Sequence, residues 1–268
     1  MQRVAVNDTE LAYRIDGDAD APWLVVANSL ASDHRMWAPQ LKPFAEHYRI
    51  LRFDARGHGS SGATEGEYSL DLLVSDVAGL MDALAVEKAD YLGLSLGGMV
   101  GLGLALDHPT RVKRLICCAA RADAPDDYAA AWAERIALVK EQGLDAVAQS
   151  TLERWFTPEF LEQQANAAVA DLVHHMITIT SVAGYCGCAA ALPGLNYGPR
   201  LGNIDVPVLY LAGASDMAAP PAVMKEMAQA TPKGRLEVIT PAAHLMNLEQ
   251  PQRFTRLILS WLNSTQAT

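Results

Sequence analysis

Apolar residues fall into short blocks whose spacing changes along the chain. Trp23-Leu24-Val25-Val26-Ala27 is apolar without a break, the pattern of a central strand covered on both faces. Further strands are predicted over 49–53, 89–92, 112–118, 206–212 and 235–240, with Pro207 tolerable only near the start of its strand. Strands over 3–6 and 11–15, joined through Asn7-Asp8-Thr9, make a hairpin at the beginning. Between these runs the spacing turns helical. After Ser69, a residue suited to an N-cap, apolar residues at Leu70, Leu73, Val74, Val77, Leu80, Met81 and Leu84 keep to one helical face. Further helices are predicted over 36–46, 98–106, 221–230 and 251–262. Strand and helix alternating through short connections specify a mostly parallel α/β sheet.

The alternation breaks between 121 and 200. Strand runs disappear there, alanine, glutamate and glutamine dominate, and positions such as Trp132, Ile136 and Val139 follow helical spacing. This segment is expected to be an inserted helical cap. Gly184-Tyr185-Cys186-Gly187-Cys188 and Pro193-Gly194 are expected among its last turns. The predicted organisation is a core over 1–120, the cap over 121–200, and the rest of the core over 201–268. No internal repeat or low-complexity stretch is present.

With 268 residues, half of them hydrophobic, the chain can bury one large core. Its net charge of -10 disfavours nucleic acid and anionic membrane as partners. No apolar run reaches the length of a membrane span, and the first residues lack the apolar core of a secretory signal, so a cytoplasmic protein is expected. Cys117 and Cys118 lie in an apolar strand, and Cys186-Gly187-Cys188 lacks the spacing of zinc or redox motifs. All four cysteines are expected to be reduced thiols.

Gly93-Leu94-Ser95-Leu96-Gly97 sits between a predicted strand and a predicted helix. A serine on so sharp a turn projects its hydroxyl clear of the sheet, and its flanks must be small. The helix start behind it offers unpaired N–H groups to a developing oxyanion. A serine hydroxyl needs a base, and the base an orienting acid. In this arrangement they follow in the order serine, acid, histidine, each after a strand. Asp216 follows the 206–212 strand and His244 follows the 235–240 strand, so Ser95, Asp216 and His244 are the candidate catalytic residues. Asp123 is the weaker substitute acid, and Asp205 precedes its strand. The oxyanion donors are expected to be the N–H groups of Leu96 and of Leu30, with Ser29 as the near alternative to Leu30. Asp54, Arg56 and His58 stand among glycines and are expected to brace a loop.

These residues make the chain resemble an α/β-hydrolase, and more narrowly the 3-oxoadipate enol-lactonases of aromatic-compound catabolism. The resemblance runs nearly end to end. It rests on Asn28-Ser29-Leu30, His34-Arg35-Met36-Trp37, Arg52-Phe53-Asp54-Ala55-Arg56-Gly57-His58-Gly59, the segment around Ser95, Arg154-Trp155-Phe156-Thr157-Pro158, Gly184-Tyr185-Cys186-Gly187-Cys188, and the segment from Ala243 to Pro251. Two departures stand out. Ala31 replaces the usual glycine, and Ala189 to Leu195 lacks an Arg-Asp pair. The resemblance implies an eight-stranded, mostly parallel sheet flanked by helices, with a helical cap. It also implies a serine-dependent ester hydrolase opening a small lactone, with no metal and no organic cofactor. A carboxylate on such a substrate would need a cation in the cap, Arg154 first and Arg135 second, with Trp155 walling the pocket. A general carboxylesterase and a carbon–carbon bond hydrolase share the same triad, and a ligand-binding receptor could occupy the same scaffold. Dehalogenases and epoxide hydrolases are disfavoured, since both place aspartate where Ser95 stands.

Overall fold

The computed structural model describes residues 1–265. Eight strands form one sheet: β1 (Gln2–Val6), β2 (Thr9–Asp16), β3 (Trp23–Ala27), β4 (Arg49–Phe53), β5 (Ala89–Leu94), β6 (Val112–Cys118), β7 (Val208–Gly213) and β8 (Gly234–Ile239). Their order is β1-β2-β4-β3-β5-β6-β7-β8. β2 runs antiparallel to both its neighbours, and every other pairing is parallel. All residues of β5 and β7 are buried, which is why neither alternates polar with apolar positions; the one charge in them, Asp90, is paired with Arg114. β7 begins one residue after Pro207, two later than the apolar run suggests. A proline has no N–H to give the ladder.

The helices are α1 (Ala38–Ala45), α2 (Leu70–Ala83), α3 (Leu96–Asp107), α4 (Tyr128–Gln142), α5 (Asp145–Trp155), α6 (Pro158–Glu162), α7 (Ala167–Ile179), α8 (Val182–Ala191), α9 (Pro221–Ala230), α10 (Met246–Glu249) and α11 (Pro251–Ser264). A 3₁₀ turn, His34–Trp37, opens the segment expected as one helix over 36–46, because the Asp33 side chain caps it through the Arg35 N–H. Ser69 caps α2 through the Leu72 N–H. Around the sheet, α2 packs on α3 and α1 on α11. Between β6 and β7 the chain passes through α4 to α8.

One expectation is corrected there. Gly184-Tyr185-Cys186-Gly187-Cys188 is not a turn but the middle of α8. Its glycines serve close approach. A Cβ on Gly184 would meet the Gly57 carbonyl oxygen at 2.3 Å, so α8 rests directly on the backbone of the loop after β4. All four cysteines are free and buried, and burial pushes the Cys117, Cys118 and Cys188 thiols above their ordinary range. Among the described residues no single helix is long and apolar enough to cross a membrane.

Because β3, β5, β7 and β8 are parallel, the loops that follow them open at the same edge of the sheet. Leu30, Ser95, Asp216 and His244 each lie just past one of those strands. Four residues spread over more than two hundred positions therefore meet at one place.

Candidate active site

The turn at Ser95 is as tight as its sequence demands. Ser95 has φ 56° and ψ -115°, in the left-handed region that L-residues avoid. The strain is held from both sides. The Ser95 N–H donates to the Cys118 carbonyl at 2.8 Å, and the Ser95 carbonyl accepts from Met99 at 2.9 Å. Neither flanking glycine can be replaced. A Cβ on Gly93 would sit 2.1 Å from the Gly97 carbonyl oxygen, and one on Gly97 would sit 2.4 Å from that of Ala27. Leu96 is the first residue of α3, so its N–H has no acceptor within the helix.

The His244 ring, 3% exposed, bonds through Nδ1 to Asp216 Oδ2 at 2.9 Å. The other oxygen of Asp216 accepts from the N–H groups of Ala218 (2.8 Å) and Ala219 (3.2 Å). Burial alone would raise the Asp216 carboxyl. The His244 charge and hydrogen bond, with the two amides, outweigh it and hold the group below its usual range. A carboxylate there keeps the Nδ1 proton on the histidine and leaves Nε2 free to accept one. Ser95 and His244 line the same cavity with no hydrogen bond formed between them, a separation that substrate binding commonly closes. Asp123 lies apart. It pairs with Asn196 in an isolated bridge and accepts from the Gly198 N–H.

The cavity measures about 230 Å³. Leu30 and Leu96 line it beside Ser95, as do Arg154 and Trp155. The Trp155 ring stacks on His244, with centroids 6.0 Å apart and planes 25° from parallel. Arg121, Tyr128, Trp132, Arg135, Tyr185 and Met217 also line it. Sequence alone ranks Arg135 second among the candidate cations and gives none of the other five a place in the pocket. The Arg135 guanidinium donates to the Tyr185 hydroxyl at 2.7 Å and to the Thr151 hydroxyl. A cation held by two neutral hydroxyls keeps its full charge for a ligand. The available sequence signal is positional: three and four residues from Arg135 stand Ala131, Trp132, Leu138 and Val139, so no acid shares its helical face.

The Arg154 to Pro158 run and the Ala243 to Pro251 run are joined. Glu249, 7% exposed, accepts from the Thr157 N–H (3.2 Å) and hydroxyl with one oxygen, and from the Ala243 N–H (2.8 Å) with the other. The Leu245 N–H donates to the Trp155 carbonyl at 3.0 Å. The loop carrying His244 is thus pinned to the α5–α6 turn. Glu249→Gln places an NH₂ against one of these donors whichever way the amide turns. It is expected to cost about 1–3 kcal/mol of stability. Urea denaturation of both proteins measures this, and an unchanged midpoint would mean the joint does not hold the loop.

Asp54, Arg56 and His58 brace the loop after β4. Arg56 is clamped by Asp76 (2.7 and 2.8 Å) and Asp8 (2.6 Å). Asp54 accepts from the His34 ring (2.9 Å) and from the N–H groups of His34 and Ser60 (2.8 Å each). Asp33, His34 and Asp54 have ligand atoms within 4.8 Å of one another, close enough to hold a cation. Those atoms are already engaged, Asp33 by Arg35 in a fork at 2.6 and 2.9 Å and Asp54 by His34, so the cluster works as a brace.

Comparison with known proteins agrees with this architecture. Residues 22–251 match the model of the alpha/beta hydrolase fold family. The chain is 36% identical to 3-oxoadipate enol-lactonase 2 of Acinetobacter baylyi, over 95% of this chain and 94% of the relative. Its structure superposes on the enol-lactonase of Burkholderia xenovorans LB400 with a TM-score of 0.94 and 37% identity, covering 98% and 100% of the two chains. A malate-bound thermophilic esterase from Thermogutta terrifontis follows at 0.92 and 26%, covering 98% and 99%. The chain belongs to the α/β-hydrolase fold family.

Proposed function

We propose that the protein opens a small, carboxylate-bearing lactone by serine catalysis, with 3-oxoadipate enol-lactone as the substrate. One observation carries this reading. The cavity that contains Ser95 and His244 is lined by three arginines, Arg121, Arg135 and Arg154, against one acid, Asp127. In a chain of net charge -10, that local excess of cations selects an anion. The cavity is also small against the ~300–1,000 Å³ of ordinary ligand pockets. The enol-lactonase relatives support the same substrate.

This reading assigns each group a role. Ser95 Oγ attacks the lactone carbonyl as His244 Nε2 takes its proton. The carbonyl oxygen becomes negative against the Leu30 and Leu96 N–H groups. Asp216 holds His244 in orientation and balances its charge. Collapse breaks the ring C–O bond, and the departing enol oxygen receives the proton from His244. The released enol becomes a ketone. Water, losing its proton to His244, then attacks the acyl-enzyme, frees Ser95 and leaves a second carboxylate on the product.

Following loss of the lactone's ultraviolet absorbance tests the reading. Arg135, fixed by Tyr185 and Thr151, is the first anchor for the substrate carboxylate, with Arg154 beside it. Arg135→Met is expected to remove a charged hydrogen bond of about 1.5–3 kcal/mol. The KM for the lactone should then rise about 10–150-fold, while an uncharged aryl ester is cleaved as before. A wild type that cleaves the aryl ester but not the lactone would leave a serine esterase and remove the lactone assignment.

A further inference from the structure

The loop carrying Leu30 is anchored on both sides of it. On one side the Asn28 carbonyl accepts from the Gly97 N–H at 3.0 Å, tying the loop to the start of α3. On the other the Ala31 N–H donates to Nε2 of His58 at 2.9 Å. Ala31 needs that anchor. Its φ is 56°, a conformation that a residue with a Cβ rarely adopts. Such a conformation persists only where its surroundings over-determine it.

The two bonds of His58 fix its state. Nε2 receives an N–H, so its lone pair must be free. Nδ1 lies 3.0 Å from the Arg56 carbonyl, which can only accept, so Nδ1 carries the hydrogen. The ring is 1% exposed, and burial pushes its pKa down against the opposing pull of the Arg56 carbonyl and the Asp54 and Asp33 charges. The base beneath it is rigid, because Arg56 is clamped by Asp76 and Asp8.

We infer that His58 is a positioning residue for the reaction at Ser95. As a neutral, Nδ1-protonated imidazole it holds the Ala31 N–H and so keeps the preceding Leu30 N–H aimed at the oxygen that becomes negative. This rests on the serine-hydrolase reading. It differs from simple loop bracing in what it predicts. A brace sets how much enzyme is folded, whereas an aimed donor acts on the transition state alone.

The test compares His58→Leu and His58→Gln with the wild type on the lactone and an aryl ester, at a temperature where each is folded. Loss of a whole oxyanion donor costs about 10²–10³ in kcat. A loosened donor in His58→Leu should cost about 10–100-fold, with KM changed less than about threefold. Affinity for an arylboronic acid, which becomes tetrahedral on Ser95, should fall in step with kcat. Glutamine offers a carbonyl to the same N–H and should recover most of the loss. A folded His58→Leu with wild-type kcat, or with kcat and boronate affinity uncoupled, overturns the inference. If His58→Leu does not fold, ¹⁵N NMR of the wild-type imidazoles decides. A proton on Nδ1 with a bare Nε2 supports the inference, and a proton on Nε2 overturns it. A wild type that cleaves neither substrate would bring down the serine-hydrolase reading first. An active wild type beside an unaffected His58→Leu brings down this inference alone.

Discussion

Ser95→Ala is expected to slow lactone opening by about 10⁶-fold, the scale on which removing the nucleophile silences a serine hydrolase. The substitution is well suited to the test. Alanine differs from serine by one oxygen, and the backbone bonds that hold the turn, from Ser95 to Cys118 and from Met99 to Ser95, do not involve the side chain. The strained φ of 56° is paid equally by both residues. Stability should therefore stay within about 0.5 kcal/mol of wild type, as for a substitution outside the core. Substrate should still bind, because Arg135, Arg154 and Trp155 are untouched. Single-turnover assays and urea denaturation on the same preparation separate the two effects. A fluorophosphonate should add its mass to the wild type once and to Ser95→Ala not at all. A variant that keeps even a hundredth of the lactone rate would show that another nucleophile, or water acting directly, opens the ring.

Much of this site is legible in the chain because it depends on local rules. Gly93 and Gly97 flank Ser95 because their missing Cβ atoms are a steric necessity, and sequence spacing records that necessity directly. Asp216 and His244 are found because each follows a segment that reads as a strand, and parallel strands deliver their loops to one edge. What sequence hides is contact between segments far apart. Arg135 meets Tyr185 fifty positions away, and no periodicity in α4 or α8 marks either residue for the cavity. Glu249 meets Thr157 ninety-two positions away, so two motifs noticed separately turn out to be halves of one joint. The segment from Gly184 to Cys188 misleads for a different reason. Glycine is a turn former by propensity, but in α8 it gives close approach to Gly57, and packing overrides propensity. His58 combines both difficulties. Its glycine neighbours announce a loop, and only the fold shows that the loop grips Ala31.

Asp216→Asn is expected to reduce kcat by about 10⁴-fold without unfolding the protein. The reason lies in the donors around it. One oxygen of Asp216 already accepts from Ala218 and Ala219, so an asparagine keeps its own oxygen there and turns its NH₂ toward His244. His244 Nδ1 must then accept rather than donate, which moves its proton to Nε2. That is the atom that has to take the proton from Ser95, and it is now occupied. The same substitution has a signature in acid. The Asp216 carboxyl is held below the usual carboxylate value, since the His244 and amide interactions outweigh burial. A depressed carboxyl stabilises the fold above its unfolded value of about 4, and the contribution is lost as pH falls through the lower folded value. Asparagine does not titrate, so the variant should lose less stability than the wild type across that acid window, although it starts lower at pH 7. Denaturation midpoints from pH 7 down to pH 3 measure this, and kcat at pH 7 measures the tautomer. A loss of less than about tenfold would mean that Asp216 does not orient the base. The double variant gives the sharpest form of the argument. If Asp216 acts only through His244 on Ser95, then Ser95→Ala with Asp216→Asn should be no slower than Ser95→Ala alone, because the base has nothing left to activate.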